Sequence, residues 1–205
     1  MPTVYIATSN QGKLRDFATA AAAYGIEIAA VQNISQVPAV VEDQDTFEGN
    51  AKKKAEYYSR VVPGCLVLGD DSGLEVIALG GAPGVISARF AAPPGSENSS
   101  DSANNAKLLS EMAAIPDGER SARFVCVIVA ARDGKTVALF RDHAEGRILR
   151  EPRGNGGFGY DPLFLFPELG LTFAELEPAQ RIQYGHRGKA FRRFLSWHEQ
   201  RQPSQ

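Results

Sequence analysis

Two adjacent carboxylates follow a short apolar run in the first half of the chain. The run 66–68 is followed by Gly69, Asp70, Asp71, Ser72 and Gly73. This pattern predicts a buried strand that delivers acidic groups to its carboxyl end and then turns tightly. Neighbouring aspartates repel each other, and a divalent cation would remove that repulsion. Hard oxygen ligands such as carboxylates suit Mg²⁺ best. Taken alone, this tetrapeptide is explained slightly better by a solvated turn. The phosphate-type elements at other strand ends favour the metal site.

A polar turn separates the first predicted strand, residues 3–7, from a helical pattern that starts at Leu14 and ends by Gly25. Strand, glycine-containing turn and helix together direct free backbone N–H groups at an anion. Lys13 lies at the start of this helix, where its positive charge opposes the helix dipole. This placement is unfavourable unless a phosphate neutralises the lysine. The alternative is a capped helix with a surface lysine, and the spacing is not that of a P-loop. The candidate phosphate-binding residues are Thr8, Ser9, Asn10, Gln11, Gly12 and Lys13.

A lysine falls on the inward face of the second predicted helix. Residues 45–48 form a capping-box pattern, and Phe47, Ala51 and Ala55 begin an apolar stripe. Lys54, seven residues after Phe47, lies within that stripe, and Asn50 lies at its edge. An inward lysine is costly unless it reaches an anion or a cleft, or snorkels to solvent. The acidic and phosphate-type neighbours favour the cleft.

The segment 153–162 combines four glycines in six residues with two aromatic rings. Bare backbone beside a ring offers a stacking face for a base, and Asp161 adds a charged acceptor. A glycine-rich hairpin with core aromatics is the weaker alternative. His186 and Arg187 stand between glycines at the start of the last helix, where they are poor caps and oppose the dipole. Their placement indicates contact with a ligand.

Further periodicity completes an alternating pattern of strands and helices. Strands are predicted at 26–31, 74–79, 123–132 and 136–141, the third covered on both faces, and helices at 107–112 and 187–198. Residues 92–103, rich in Pro, Gly, Ser and Asn, are expected to form a mobile loop. We predict one two-lobed domain over residues 1–199 and a flexible tail over 200–205.

Composition excludes several classes of function. The chain has 205 residues and a net charge of −2, which argues against broad nucleic-acid binding. No run approaches the roughly 18 apolar residues of a membrane span, and the N-terminus lacks the pattern of a signal peptide. Cys65 and Cys126 lie in strand-like runs and are expected to be reduced thiols. We expect a cytoplasmic protein with no membrane or nucleic-acid partner.

Six segments, in order, closely resemble the inosine/xanthosine triphosphate pyrophosphatase family, also known as Ham1-like. They are 8–13, 46–51, 70–73, 80–84, 156–161 and 186–188. The resemblance implies a mixed α/β fold, with a long central β-sheet and flanking helices that form two lobes around a cleft. It also implies a Mg²⁺-dependent homodimer that converts dITP, ITP or XTP to the monophosphate and pyrophosphate, and so removes deaminated purines from the nucleotide pool.

The same resemblance implies roles for individual residues. Asp71 would be the catalytic carboxylate and a metal ligand, with Glu42 as the second ligand. The turn 8–13 would bind the triphosphate. Beyond the resemblance, we expect Lys13, Lys54 and Arg181 to supply the remaining positive charge. Further substrate contacts are implied for Ser72, for the base-binding Phe158, Gly159, Tyr160 and Asp161, and for His186 and Arg187, which would read the 6-oxo edge.

Three positions depart from the family pattern. Gly49 stands where a glutamate is usual, Arg181 replaces a substrate-binding lysine, and Gly185 replaces a serine. These changes put metal affinity and base preference in question. Two rival functions stay open: a Maf-type pyrophosphatase acting on pyrimidine or modified nucleotides, and a catalytically silent nucleotide-binding module. The aromatic segment and the pair His186–Arg187 argue against the Maf type.

Overall fold

The computed structural model describes residues 3–8, 10–22, 24–31, 34–93, 96 and 98–201. Seven strands form one sheet in the order β2-β1-β3-β4-β5-β6-β7. The strands are β1 (Thr3–Ile6), β2 (Glu27–Ala30), β3 (Val67–Val76), β4 (Ser121–Arg132), β5 (Lys135–Ile148), β6 (Phe164–Phe166) and β7 (Leu171–Thr172). Pairing is parallel from β1 to β2 and β3, and antiparallel from β5 to β6 and from β6 to β7. The expected mixed α/β fold with a long sheet is confirmed.

Five α-helices accompany the sheet within the described residues: α1 (Gln11–Ala22), α2 (Phe47–Val61), α3 (Asp101–Glu111), α4 (Pro178–Tyr184) and α5 (His186–Glu199). None of the helices in this part of the chain is long and apolar enough to cross a membrane. Thr46 caps α2 by accepting a hydrogen bond from Gly49 N. The expected capping box is therefore wrong. Because Thr46 and not Asp45 is the cap, the third residue after the cap is Gly49 instead of Glu48, and glycine has no side chain to complete the box.

The chain divides into two compact units, each built from separate stretches. Unit 1 comprises residues 1–72, 126–142 and 182–205, and unit 2 comprises residues 73–125 and 143–181. In unit 1, one apolar core gathers β1, α1, β3, β4 and α5, with the rings of Phe17 and Phe191 5.0 Å apart. In unit 2, Phe124 packs against Phe164, with ring centroids 4.6 Å apart, and Phe173 joins them. Each unit thus has its own hydrophobic core.

The expected turn at residues 70–73 is wrong. β3 continues without interruption through Asp70, Asp71 and Ser72 to Val76, and the separate strand expected at 74–79 is its continuation, followed by a 3₁₀ turn. Both aspartates are buried. Local composition favoured a turn, but the surrounding charges described below keep the acidic pair inside the sheet.

Side chains along β3 alternate between two faces, as in any strand. Leu68 belongs to the core that contains Phe17 of α1, whereas Val67 packs with Tyr58 of α2. The same alternation places Asp70 on the α1 face and Asp71 on the α2 face. On the α2 face, a Cβ at Gly69 would lie 2.6 Å from Ala55 N, so the glycine is what lets α2 approach the strand closely.

Other boundaries differ modestly from expectation. Ser100 caps α3 by accepting from Ala103 N, so residues 101–103 are helical and the expected loop 92–103 is too long by that amount. β5 extends beyond the predicted 136–141, after a turn in which Asp133 and Gly134 have φ of 51° and 77°. Those angles are typical of a two-residue hairpin turn. α4 was not predicted, and none of its residues is buried.

Candidate functional site

The first acidic group, Asp70, is paired with the first turn of α1. Lys13 Nζ lies 2.7 Å from Asp70 Oδ2, and Asp70 is 1% exposed. Burial opposes ionisation of Asp70, but the charges of Lys13, Lys54 and Arg187 outweigh it and hold its pKa below the usual value. A carboxylate therefore neutralises Lys13 here, where the sequence had suggested a phosphate alone.

The turn before α1 is partly satisfied by its own side chains. Asn10 Oδ1 accepts hydrogen bonds from Gly12 N at 2.8 Å and Lys13 N at 3.1 Å, and Asn10 N donates to Thr8 Oγ1. Asn10 thus caps the helix. An anion at this turn would have to replace Asn10 at those two N–H groups, or bind beside them. Gln11 is exposed, and Ser9, also predicted to bind substrate, lies outside the described residues.

Lys54 is buried, as its spacing along α2 predicts. Its Nζ lies 2.6 Å from Glu42 Oε1. Burial would lower the pKa of Lys54, but the carboxylates of Asp70, Glu42 and Asp71 outweigh that effect and raise it. The buried ammonium therefore stays charged beside three carboxylates, which is the inward placement that an anion-binding role requires.

Asp71, the expected catalytic carboxylate, is held by two donors. Asn50 Nδ2 donates to Asp71 Oδ2 at 3.0 Å, and Ser72 N donates to Oδ1 at 3.0 Å. Burial raises the pKa of Asp71 to about 6, an effect that Lys54 and Lys13 oppose and the negative charge of Glu42 reinforces. The pKa values of the two aspartates of β3 are thus shifted in opposite directions, as is often found for pairs of catalytic carboxylates.

Arg187 joins α5 to α1 and β3. One terminal nitrogen donates to Asp16 Oδ2 at 2.6 Å, and the other donates to Ser72 Oγ at 3.2 Å. Burial would lower the pKa of Arg187, but Asp16 and Asp70 outweigh it and raise the pKa further. His186 is buried beside it as the first residue of α5, whose cap position, Gly185, offers no side-chain hydrogen bond.

Unit 2 holds the aromatic segment. Asp161 is buried, accepts from Phe158 N at 3.0 Å and is paired with Arg181 at 2.8 Å. Arg181 also lies over the ring of Phe173, 4.4 Å from its centre. The hydroxyl of the buried Tyr160 donates to the backbone oxygen of Ser87. Arg181, which stands where the resemblance implies a lysine, also donates to the backbone oxygen of Phe173 at 2.7 Å. Its planar guanidinium therefore makes two hydrogen bonds and one stacking contact.

The structure brings the predicted residues together in two groups. In unit 1, direct contacts link Lys13 with Asp70, Lys54 with Glu42, and Arg187 with Ser72. In unit 2, direct contacts link Asp161 with Phe158 and Arg181. The aromatic segment and Arg181 lie in unit 2, whereas the acidic pair of β3, Lys13, Lys54, His186 and Arg187 lie in unit 1.

Sequence reasoning missed two residues that contact this group. Asn50 is fully buried against Asp71, although it was placed at the edge of the α2 stripe. Asp16 pairs with Arg187 but was not considered. Spacing could have found both: Asn50 is four residues before Lys54, and Asp16 is three after Lys13, which places each on the same helix face as a predicted lysine.

The acidic residues of unit 1 suit a hard divalent cation. No cluster of three or more metal-ligating side chains occurs in residues that the structure describes. Mg²⁺ is commonly held by only one or two carboxylates, with phosphate and water oxygens completing its shell. Asp71 and Glu42 fit that pattern. Burial raises the pKa of Asp71, and repulsion from the negative charge of Glu42 raises it further. A cation would relieve this repulsion.

A sequence profile of the Ham1 family matches residues 4–197. The chain belongs to the Ham1 family. Among its relatives, a dITP/XTP pyrophosphatase from Acidobacterium capsulatum is 48% identical over 198 residues, covering 95% of this chain and 97% of that protein. A dITP/XTP pyrophosphatase from Geobacillus kaustophilus is 45% identical over 190 residues, covering 93% and 91%.

Solved Ham1 structures share the fold. The Ham1 protein of Staphylococcus aureus superposes with a TM-score of 0.83 at 36% identity, covering 98% of this chain and 100% of that one. A HAM1 protein from Coxiella burnetii gives 0.84 at 35% identity, with the same coverages. One departure of this Ham1 chain has a local structural correlate: a Cβ at Gly49 would lie 2.7 Å from Gln44 Cβ, so Gln44 occupies space beside the first turn of α2.

Proposed function

We propose that this Ham1-family chain hydrolyses dITP, ITP and XTP to the nucleoside monophosphate and pyrophosphate, with Mg²⁺ as cofactor. The observation that carries the proposal is the set of dITP/XTP pyrophosphatases that match nearly the whole chain, at 48% identity over 95% of it in the first case and 41% over 98% in another. Its biological role would be to clear deaminated purines from the nucleotide pool.

Glu42 and Asp71 would hold the cation. When bound, Mg²⁺ neutralises triphosphate charge and polarises the phosphoryl oxygens. The pair is suited to this because hard carboxylate oxygens are the ligands that Mg²⁺ prefers, and because both carboxylates face the charge of Lys54. Lys54 Nζ is 2.6 Å from Glu42 in the structure, so Glu42 must share or exchange that partner when it binds metal.

Asp71 acts as the general base in this proposal. Without a bound cation, burial raises the pKa of Asp71 to about 6, so the side chain is ionised near pH 7 and can accept a proton. It accepts a proton from the attacking water while the water oxygen bonds to phosphorus. The P–O bond of the α–β bridge breaks, and pyrophosphate leaves with the bonding electrons. The family resemblance supports the choice of that bond.

Cationic residues would hold the polyphosphate. Lys13 and Lys54 are each within hydrogen-bond distance of one carboxylate. A triphosphate would accept hydrogen bonds from their remaining N–H groups. Each ammonium has three donors, so a carboxylate and a phosphate oxygen can share it. The turn 8–13 and Ser72 would add neutral contacts. Arg181 would contribute a planar fork in place of the usual lysine.

Base choice would depend on donors. Phe158, Gly159, Tyr160 and Asp161 would hold the base, while His186 and Arg187 would read its 6-oxo edge. Arginine has donors only, so it pairs with a 6-oxo group but not with the 6-amino donor of adenine. Leaving that donor unpaired costs about 1–3 kcal/mol, or roughly tenfold to a hundredfold in rate.

The resemblance also supports a homodimer and a cytoplasmic location. We treat residues 1–199 as one functional domain and 200–205 as its tail. The net charge of −2 supports the absence of a nucleic-acid partner.

Product analysis tests this function. With ITP and Mg²⁺, phosphorus NMR should show IMP and pyrophosphate in equal amounts. IDP and inorganic phosphate would contradict the assigned bond. Tight ITP binding without any product would indicate a silent nucleotide-binding module, and a preference for pyrimidine triphosphates would indicate the Maf type.

A further inference from the structure

Gly159 lies between two side chains of α3. Its N–H donates to Asp101 Oδ2 at 2.7 Å, and its carbonyl accepts from Asn105 Nδ2 at 2.9 Å. Asp101 and Asn105 are four residues apart in the helix, so they lie on one face, one turn from each other. One helix face therefore binds both backbone polar groups of a single residue in the aromatic segment.

The bound segment is one whose backbone would otherwise be loosely determined. Gly154, Gly157 and Gly159 have φ of 85°, 77° and 64°, a region that glycine enters freely. Glycine loses more conformational entropy than any other residue when it is fixed. A Cβ at Gly159 would meet nothing within 4 Å. The two hydrogen bonds from α3 hold its peptide groups.

Neighbours of Gly159 are held by their own side chains. Asp161 accepts from Phe158 N and pairs with Arg181, and the hydroxyl of Tyr160 donates to Ser87 O. Gly159 has no side chain, so only its peptide groups can be anchored. The half-buried Phe158 lies one residue before this anchor.

The side-chain amide of Asn105 carries a cost in folding free energy. Its Nδ2 must face Gly159 O, and its Oδ1 is then buried without a hydrogen-bond partner among the described residues. A buried acceptor with no partner is unfavourable, and an apolar residue at this position would avoid it. A positioning role accounts for an amide here.

We infer that Asp101 and Asn105 are positioning residues for base recognition, which fix Gly159 so that Phe158–Asp161 distinguishes 6-oxo purines from adenine. The inference rests on the proposed function, in which this segment holds the base. Both residues act through the backbone of Gly159. Because they belong to unit 2 and the turn 8–13 and Lys54 belong to unit 1, their loss should change base choice and leave phosphate binding by the turn 8–13 and Lys54 intact.

The test compares variants of α3 in the full chain. Asn105→Asp is nearly isosteric but turns an acceptor toward Gly159 O, and Asp101→Ala removes the other contact. Asp101→Asn keeps an acceptor for Gly159 N and serves as the conservative rescue. Ala106→Ser, at an exposed position of the same helix, is the control. For each protein, kcat and KM are measured with ITP and with ATP, together with inhibition by pyrophosphate.

Asn105→Asp and Asp101→Ala should each lower the ratio of kcat/KM for ITP to that for ATP by about tenfold, mainly through a higher KM for ITP. Inhibition by pyrophosphate should not change, and the rescue and control should keep the wild-type ratio. Equal losses with ITP and ATP, or weaker pyrophosphate inhibition, would show a merely structural role and overturn the inference. If Asp101→Ala does not fold, Asn105→Asp decides alone.

The two proposals fail in distinguishable ways. Wild-type protein that shows no preference for ITP over ATP would refute the proposed function. A wild-type preference that persists unchanged in Asn105→Asp and Asp101→Ala would refute only the role of α3.

Discussion

Asn50 donates a hydrogen bond of 3.0 Å from Nδ2 to Oδ2 of Asp71, and neither residue is more than 5% exposed. The same side chain accepts from Gln44 N at 3.0 Å and donates to Gln44 O at 3.4 Å. One amide therefore links the proposed general base to the segment that carries Glu42, two residues before Gln44.

Asn50→Leu should reduce kcat by about tenfold to a hundredfold, because Asp71 loses a donor and the Glu42 segment loses its anchor. It should also lower the free energy of unfolding by about 1–3 kcal/mol, since the buried carboxylate is left less satisfied. Steady-state kinetics and urea unfolding measure the two effects. Lys52→Gln, exposed on the same helix, is the control and should behave as wild type. An Asn50→Leu enzyme with wild-type kcat would exclude this role.

Asp71→Asn should abolish turnover, with at least about a thousandfold loss in kcat, because the proposed general base is gone. An Asp71→Asn enzyme that keeps wild-type turnover would reject the assignment.

Stability should respond to pH in the opposite sense from that of an ordinary ion-paired carboxylate. Burial raises the pKa of Asp71 from 3.8 to about 6, so the folded protein binds the proton more tightly than the unfolded chain does. Its contribution to stability is then full below pH 3.8 and is lost as pH rises through about 6. The full difference corresponds to about 3 kcal/mol.

Urea unfolding with chelator, between about pH 4.5 and 7.5, compares wild type with Asp71→Asn. The variant should gain stability relative to wild type as pH rises, since asparagine does not ionise. A difference that stays constant across this range would contradict the raised pKa.

Lys54→Met should be far more damaging than Lys53→Met, although the two lysines are adjacent. Lys54 is buried against Glu42, whereas Lys53 is half-exposed and pairs with the exposed Asp43 at 2.7 Å. Removing the buried ammonium leaves carboxylates facing one another, so stability should fall by about 2–3 kcal/mol and kcat/KM for ITP by about a hundredfold. Lys53→Met should change neither appreciably. Equal effects of the two substitutions would show that burial of Lys54 has no functional consequence.

Some of this arrangement could be read from the sequence. The run 123–132 was expected to be a strand covered on both faces, and residues 124–131 of β4 are all buried. The burial of Lys54 followed from its spacing along α2. Both succeeded because hydrophobic periodicity over a long element depends little on distant residues.

The failures came from contacts that are distant in sequence. Asp70 and Asp71 looked like a turn because acidic residues and glycine favour one locally. They remain in β3 because Lys13 of α1 and Asn50 of α2 meet them on opposite faces. The pairing of Asp16 with Arg187 likewise joins the first helix to the last. α4 was not predicted because it is short and has no buried residue, so it shows no apolar periodicity.

Arg187→Lys should keep the positive charge but lose the fork that reaches Asp16 and Ser72 together. We expect the preference for ITP over ATP, measured as the ratio of kcat/KM values, to fall by roughly tenfold to a hundredfold. Arg193→Lys is the matched control, because it lies on the same helix and also binds an aspartate, Asp142, at 2.6 Å. An unchanged preference in Arg187→Lys would remove Arg187 from base recognition.

The central claim is that a carboxylate-held cation and fixed donors act on 6-oxo purine triphosphates. Pyrophosphate release from ITP, XTP, dITP, ATP, GTP and dTTP, with Mg²⁺ and with chelator, tests it most directly. The account predicts rapid release from ITP, XTP and dITP with Mg²⁺, at least about tenfold slower release from ATP, and none with chelator. Equal release from ATP and ITP, or full release in chelator, would contradict it.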